Sequence, residues 1–312
     1  MPSLTPARSA MLMLLVCVFF WGSVFPLAKM ILQEISGLSL VIWRFLLASV
    51  CLALYLLARQ TRWVKLQPRQ FVTLALLGVL GVGGFNLALF EGLPHTDATN
   101  AALVMALNPL TTSVLAALMA RRWLTGWQWA SLLMGLSGVA LVITRGDLHL
   151  LQQQGVNHGD LLIVLGMFCW SLFVVLSQRV NHWLPSMQFT LLTMVSGSLA
   201  IAFFSLFDPT VHPWPELQQL STHSIWLLVY VSLFGTVVAY LFWNQGAAQL
   251  GPAKAALFFN LVPVFAALVG LALGQPLTNV QMGGMLLVIA GLTLPGWLQR
   301  QVQNRQAALA AG

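Results

Sequence analysis

Arg44 is the first residue whose position asks for chemistry. It lies about six residues inside an apolar run, or roughly 9 Å along a helix rising 1.5 Å per residue, where a cation must reach water or find a partner. Two roles fit: extending to the interface, or binding the carboxylate of a solute. Glu91 is the candidate proton-coupling group, because it is the one acid set within an apolar run away from the exit of the first and the entrance of the sixth. Lys29 and Glu91 match Glu34 and Asp97 in depth, which fits either a charge cluster or plain interfacial anchoring. Asn86, Asn100, Asn108, Tyr240, Asn244 and Asn260 add uncharged donors and acceptors, suited to a zwitterionic ligand or to bonds between helices. Trp21, Phe25, Phe85, Trp170, Phe173, Tyr240 and Phe259 supply ring faces. These can wall a cavity for aromatic or amphipathic solutes, organic cations included, or can simply pack.

Catalytic patterns are missing from this inventory. No GxxxxGK[ST] supports nucleotide-driven pumping, the six His lack HExxH spacing, and no nucleophile elbow surrounds a Ser. No cofactor is expected. Cys17, Cys51 and Cys169 sit in apolar runs without CxxC spacing, so neither a disulfide framework nor a metal site is expected.

The elements that must position these groups follow from composition. The 312 residues are 59% hydrophobic and 7% charged, with mean hydropathy +0.85, against about a quarter charged in soluble chains. The lipid bilayer is therefore a partner; the small-molecule substrate is expected from the paired halves and the resemblance below. A net charge of +7 spread so thinly makes no nucleic-acid surface. Polar breaks divide the chain into ten apolar runs at about 10–33, 39–58, 71–91, 98–119, 127–144, 159–179, 187–207, 224–245, 253–273 and 280–298. Each has roughly the 20 residues that cross a bilayer. The first has no small-residue cleavage site and reads as an uncleaved helix. With both termini in the cytoplasm, eleven of the fourteen Lys and Arg fall on the inner side and only Lys29 and Arg145 outside, the bias that insertion imposes.

The chain also repeats itself. At an offset of 154, Gly81 falls on Gly235, Gly92 on Gly246, Ala101 and Ala102 on Ala255 and Ala256, Leu103 on Leu257, Leu107 on Leu261 and Pro109 on Pro263. Gln128 and Gly138 match Gln281 and Gly291 nearby in register, while Glu91 meets Gln245, which cannot titrate. Residues 1–150 and 151–312 thus read as two five-helix halves. Five is odd, so the second half enters the membrane in the opposite sense, as in secondary transporters. The basic residues agree: two connections of the first half hold six, and their counterparts in the second hold none. The expected fold is an all-α membrane protein of ten transmembrane helices in two inverted five-helix repeats. Pro109 and Pro263 free carbonyls in mirrored helices and are candidate hinges.

Trp21-Gly-Ser-Val-Phe-Pro in the first run, Trp43-Arg44-Phe-Leu-Leu-Ala in the second, Gly78 to Phe90 in the third and Asn108-Pro109 in the fourth resemble the drug/metabolite transporter superfamily, in particular its EamA-type ten-helix bacterial inner-membrane exporters. The resemblance spans roughly residues 10–298. It departs from the family at the ends of the fourth and ninth runs, where Arg121-Arg122 and Gln275-Pro276 stand in place of an acid. It implies export of small metabolites or amino acids from the cytoplasm through a central cavity lined by the first, third, fourth, sixth, eighth and ninth helices. Efflux of organic cations is the rival within transport, weakened by the lack of a deep acid. A membrane assembly protein is the rival outside it.

Overall fold

The computed structural model describes residues 6–92, 95, 104–144, 147 and 158–311. Its elements are helical. They are α1 (Pro6–Ile31), α2 (Gly37–Ala58), α3 (Pro68–Gly92), α4 (Val104–Met119), α5 (Gly126–Thr144), α6 (His158–Val180), α7 (Ser186–Ser205), α8 (Thr222–Leu250), α9 (Pro252–Ala272) and α10 (Asn279–Ala311). Eight of them, all but α4 and α10, are long and apolar enough to cross a membrane; Val104–Met119 and the apolar part of α10, Asn279–Leu294, are shorter. The protein is therefore an all-α, multi-pass membrane fold. α10 continues well past the expected end at 298. The connection before α8 holds a short helix, Pro213–Gln219, because Pro213 supplies a helical φ at the first turn and Glu216 accepts from the His212 N–H at 2.9 Å.

Local chemistry starts the helices where the polar breaks lie. The Ser36 hydroxyl accepts from Ser39 N at the start of α2, and Ser221 from Ser224 N at the start of α8. The matched glutamines have the same role in both halves. Thr125 N donates to Gln128 Oε1 at 2.7 Å before α5, and Thr278 N to Gln281 Oε1 at 3.0 Å before α10; each Thr hydroxyl accepts in return. Those are reciprocal capping boxes. Gly251, at φ +83°, reverses the chain between α8 and α9 in a conformation that a Cβ would strain.

Leu46, Val50, Leu54 and Leu57 on α2, like Leu199 on α7 and Leu286 on α10, are exposed, forming the apolar outer surface that a bilayer covers. Inside, contacts across the middle of the chain come in matched pairs. α3 packs on α6 as α8 packs on α1, α3 on α7 as α8 on α2, and α4 on α6 as α9 on α1, while α5 lies against α10. α3 widens into a π turn at Val79–Gly84 and α8 at Leu233–Val238, again 154 residues apart. Within those turns a Cβ on Gly81 would strike the Phe173 ring and one on Gly235 the Val24 side chain. Each glycine admits a side chain from the facing helix.

Two carboxylates tie the connections together at one end of the bundle. Glu34, between α1 and α2, accepts from Ser221 N (2.7 Å), Ser221 Oγ (2.9 Å) and Ser224 Oγ (2.6 Å) at the start of α8. Glu216, in the short helix, accepts from Ser36 N at the start of α2 at 2.6 Å. Trp43 Nε1 adds a bond to the Pro213 carbonyl at 2.8 Å. The Ser224 and Ser221 donors hold the Glu34 carboxyl below its ordinary range. Burial pushes Glu216 up, but the Ser36 and His212 N–H groups outweigh it, so its net shift is also downward. A depressed carboxyl stabilises the fold above its unfolded pKa of about 4.3 and loses that contribution as pH falls through the folded value. The melting temperature is therefore expected to drop on acidification below about pH 4, and Glu34→Gln to flatten the drop. Equal pH dependence in thermal melts of the two proteins would disprove the clasp's part in it.

Candidate functional site

Five helices deliver aromatic side chains to the centre. Trp21 of α1 lies 5.7 Å from Trp170 of α6, 5.9 Å from Tyr240 and 5.1 Å from Trp243 of α8, and 5.2 Å from Phe259 of α9, centroid to centroid. Trp170 also meets Phe85 of α3 at 5.7 Å and Phe173 at 5.4 Å. Such tilted and edge-on pairs add attraction beyond the area they bury. Trp170, Phe173, Tyr240 and Trp243 are fully buried or nearly so. Most rings expected to wall a cavity therefore pack on one another.

Polar groups surround this knot. Arg44 carries its guanidinium over the Phe45 ring, 4.6 Å from the centroid, and Phe45 in turn meets Tyr240 at 5.9 Å. Leu46, Val50, Leu54 and Leu57 form the lipid stripe of α2, and at 3.6 residues per turn Arg44 lies about 120° from its centre. Its Nε is buried without a hydrogen-bond partner. Asn86 is buried and donates to the Val82 carbonyl at 2.8 Å. Asn108 donates to Ser171 Oγ at 3.4 Å, and Thr111 and Thr112 meet the same hydroxyl at 2.8 and 3.0 Å. Asn244 donates to Thr190 Oγ1 at 2.8 Å. The Oδ1 atoms of Asn108 and Asn260 and Nε1 of Trp170 lack protein partners. A buried polar atom so placed carries a desolvation cost that a solute or water can relieve. A Cβ on Gly135 would collide with the Asn260 amide, so that glycine makes room for it.

α4 restarts at Asn108 with Pro109 in its first turn, and α9 passes through a 3₁₀ turn at Phe258–Asn260 just before Pro263. Lys29 and Glu91 are both exposed, so Glu91 is not partly buried as its place in an apolar run suggested. Asn100, Asp97 and the repeat matches at 101–103 lie outside the described residues.

A cavity of about 260 Å³ adjoins the knot, lined by Phe25 of α1, Met105 and Ala106 of α4, Val139, Val142 and Ile143 of α5, Phe259, Val262, Pro263, Ala266 and Ala267 of α9, and Gln281 of α10. Of the helices expected to line a central cavity, α1, α4 and α9 line this one, together with α5 and α10, while α3, α6 and α8 send aromatic side chains into the knot beside it. Of the expected site residues, Phe25, Phe259 and Pro263 reach this cavity. Gln281 was legible as a repeat match but not as a lining group. Its amide also donates to the Val142 carbonyl at 3.2 Å, which fixes it on the wall. A far smaller pocket of about 20 Å³ lies at the other end of the knot, among Phe173, Val174, Ser177, Gln178, Asn181, Ser186, Phe189, Trp243, Asn244 and Ala247. Among the described residues, no three His, Cys, Asp or Glu gather as metal ligands.

Residues 8–144 and 157–295 each match the EamA-like transporter family. The chain is similar to the uncharacterised transporter YyaM of Bacillus subtilis, with 34% identity over 90% of this chain and 91% of that protein. It is 24% identical to an uncharacterised transporter of Archaeoglobus fulgidus over 93% of this chain and 98% of that one. With the uncharacterised inner membrane transporter YedA of Escherichia coli it shares 26% identity over 89% and 88%. A solved crystal structure superposes with TM-score 0.78 at 21% identity, covering 94% of this chain and 98% of its own, a likeness of fold alone.

Proposed function

This chain belongs to the EamA-like transporter family, a membrane carrier of small molecules rather than an enzyme, and from that premise we propose that it is a ten-helix inner-membrane exporter of small amphipathic metabolites, chiefly amino acids or related compounds. In this reading residues 1–150 and 151–312 are two inverted five-helix repeats, both termini are cytoplasmic, and rocking of one repeat on the other opens the centre to each face in turn. The twice-matched family pattern, the paired contacts and the π turns at one offset support the duplication. The basic-residue bias supports the orientation.

The observation that carries the proposal is the cavity between helices of both repeats. Its volume is just below the roughly 300–1,000 Å³ of drug-sized ligand pockets, and its wall is apolar with Gln281 as a polar group. Trp21 and Trp170 meet its Phe259 ring, and with Tyr240, Asn108 and Asn260 they are the groups proposed to meet solute. Arg44 is the group to hold a carboxylate, Pro109 and Pro263 serve as hinges, and Glu91 is the candidate for proton coupling. The test is uptake into vesicles holding the purified protein, over a panel of amino acids and organic cations, with and without a pH gradient. Saturable flux of carboxylate-bearing solutes is expected. Arg44→Gln should weaken their apparent affinity about tenfold, corresponding to about 1.4 kcal/mol. A preference for cations, unchanged in Arg44→Gln, would favour organic-cation efflux; no flux of any solute would sink the transport reading.

A further inference from the structure

The large cavity and the small pocket lie at opposite ends of the aromatic knot. The cavity is lined by the C-terminal parts of α1 and α5 and the first residues of α4 and α10. The pocket is lined by the C-terminal parts of α6 and α8 and the start of α7, and it includes Asn181 and Ser186 of the α6–α7 connection, so it reaches the end of the bundle. Phe259 lines the cavity, Trp243 lines the pocket, and their rings meet edge to face at 5.4 Å and 90°. Trp21 braces both rings, at 5.1 Å from Trp243 and 5.2 Å from Phe259.

We propose that the Trp243–Phe259 contact is the partition between the two compartments, the barrier that a solute passing from one face to the other displaces, and that the pocket beyond it is a polar vestibule. The proposal rests on the transport reading. The chemistry on the two sides differs in the way a path requires. The cavity wall is mostly apolar, while the pocket gathers Ser177, Gln178, Asn181, Ser186 and Asn244. Ser177 is buried, and its hydroxyl has no partner. Between them Trp243 and Phe259 meet ring against ring, with Trp170 packed on both at 6.0 and 6.2 Å, an apolar contact that excludes water. The barrier also belongs to two helices that meet at the Gly251 turn: Trp243 sits eight residues before that glycine and Phe259 eight after it. A change in the α8–α9 angle therefore separates the rings directly. Phe259 lies in the 3₁₀ turn of α9 just before Pro263, at the point where that helix is least continuous. The repeat counterparts of the two rings, Leu89 and Met105, are aliphatic, so this barrier is built in one half only.

The test needs no knowledge of the natural solute. Vesicles containing the native protein are expected to be as tight to glycerol as protein-free vesicles of the same lipid, and vesicles containing Trp243→Ala with Phe259→Ala to leak it faster than that background, at a rate linear in concentration. Trp243→Phe with Phe259→Leu keeps apolar bulk across the gap and is expected to stay tight. Circular dichroism and size-exclusion profiles check that each variant is folded; if the double alanine variant fails that check, Phe259→Ala alone is measured, with a leak again expected. A folded alanine variant that stays tight overturns the partition, even where the native protein shows saturable amino-acid flux. A leak from the alanine variant, with no flux of any panel solute by the native protein, leaves the partition standing and removes the transport reading instead.

Discussion

Leucine in place of Gly284 is expected to destabilise the protein by ~3 kcal/mol, the upper part of the range for overpacked sites, while leucine in place of its neighbour Gly283 is expected to stabilise it by up to about 1 kcal/mol. A Cβ on Gly284 would stand 2.7 Å from the Gly138 carbonyl oxygen and 2.9 Å from Leu141 Cβ, and one on Gly138 would stand 2.7 Å from the Gly284 carbonyl oxygen and from Val288 N. The obstacles are largely backbone, which cannot rotate aside, so α5 and α10 must move apart. Small residues allow such close approach where lipid provides no hydrophobic drive for association. Around Gly283 nothing lies within 4 Å, and a side chain there enters lipid while removing the entropic cost of a helical glycine, about 1 kcal/mol. Thermal unfolding of the two variants in one detergent makes the comparison. Equal melting temperatures would mean that the α5–α10 crossing tolerates separation.

Ala267→Trp is expected to stop transport with little change in folding. Ala267 is part-buried and faces the cavity, so an indole there occupies space that holds solute rather than protein. An indole is the bulkiest of the side chains, and in place of a methyl group it projects into the 260 Å³ cavity. Flux of any solute using it should fall by more than about tenfold, equivalent to about 1.4 kcal/mol of lost occupancy. Ala267→Ser, which keeps the volume, should retain flux. Normal uptake by a folded Ala267→Trp protein would move the solute path elsewhere.

Much of the scaffold was legible because lipid makes strict demands: apolar runs, capping residues at their starts and glycines at crossings all leave marks in composition and spacing. Gln128 and Gln281 stood out as repeat matches, and their capping boxes supply the physical reason. The placement of the cavity was not legible. Trp21 and Trp170 carry the same signal whether they face a solute or each other, and which applies depends on how five helices converge. Ala106, Val139 and Ala267 line the space without differing from ordinary lipid-facing residues in type. Glu91 shows the same limit, since a position within an apolar run does not say which way a side chain at its end points. Trp243, with an aliphatic counterpart in the first half, offered no repeat signal although it stands in the knot.

A π turn differs from the α-helix around it by one residue packed into the same rise. Its presence at Val79–Gly84 and again at Leu233–Val238, around Gly81 and Gly235, gives α3 and α8 the same break in register: side chains beyond each turn are rotated, relative to those before it, by one common step, so both helices turn a different face to their neighbours above the glycine than below it.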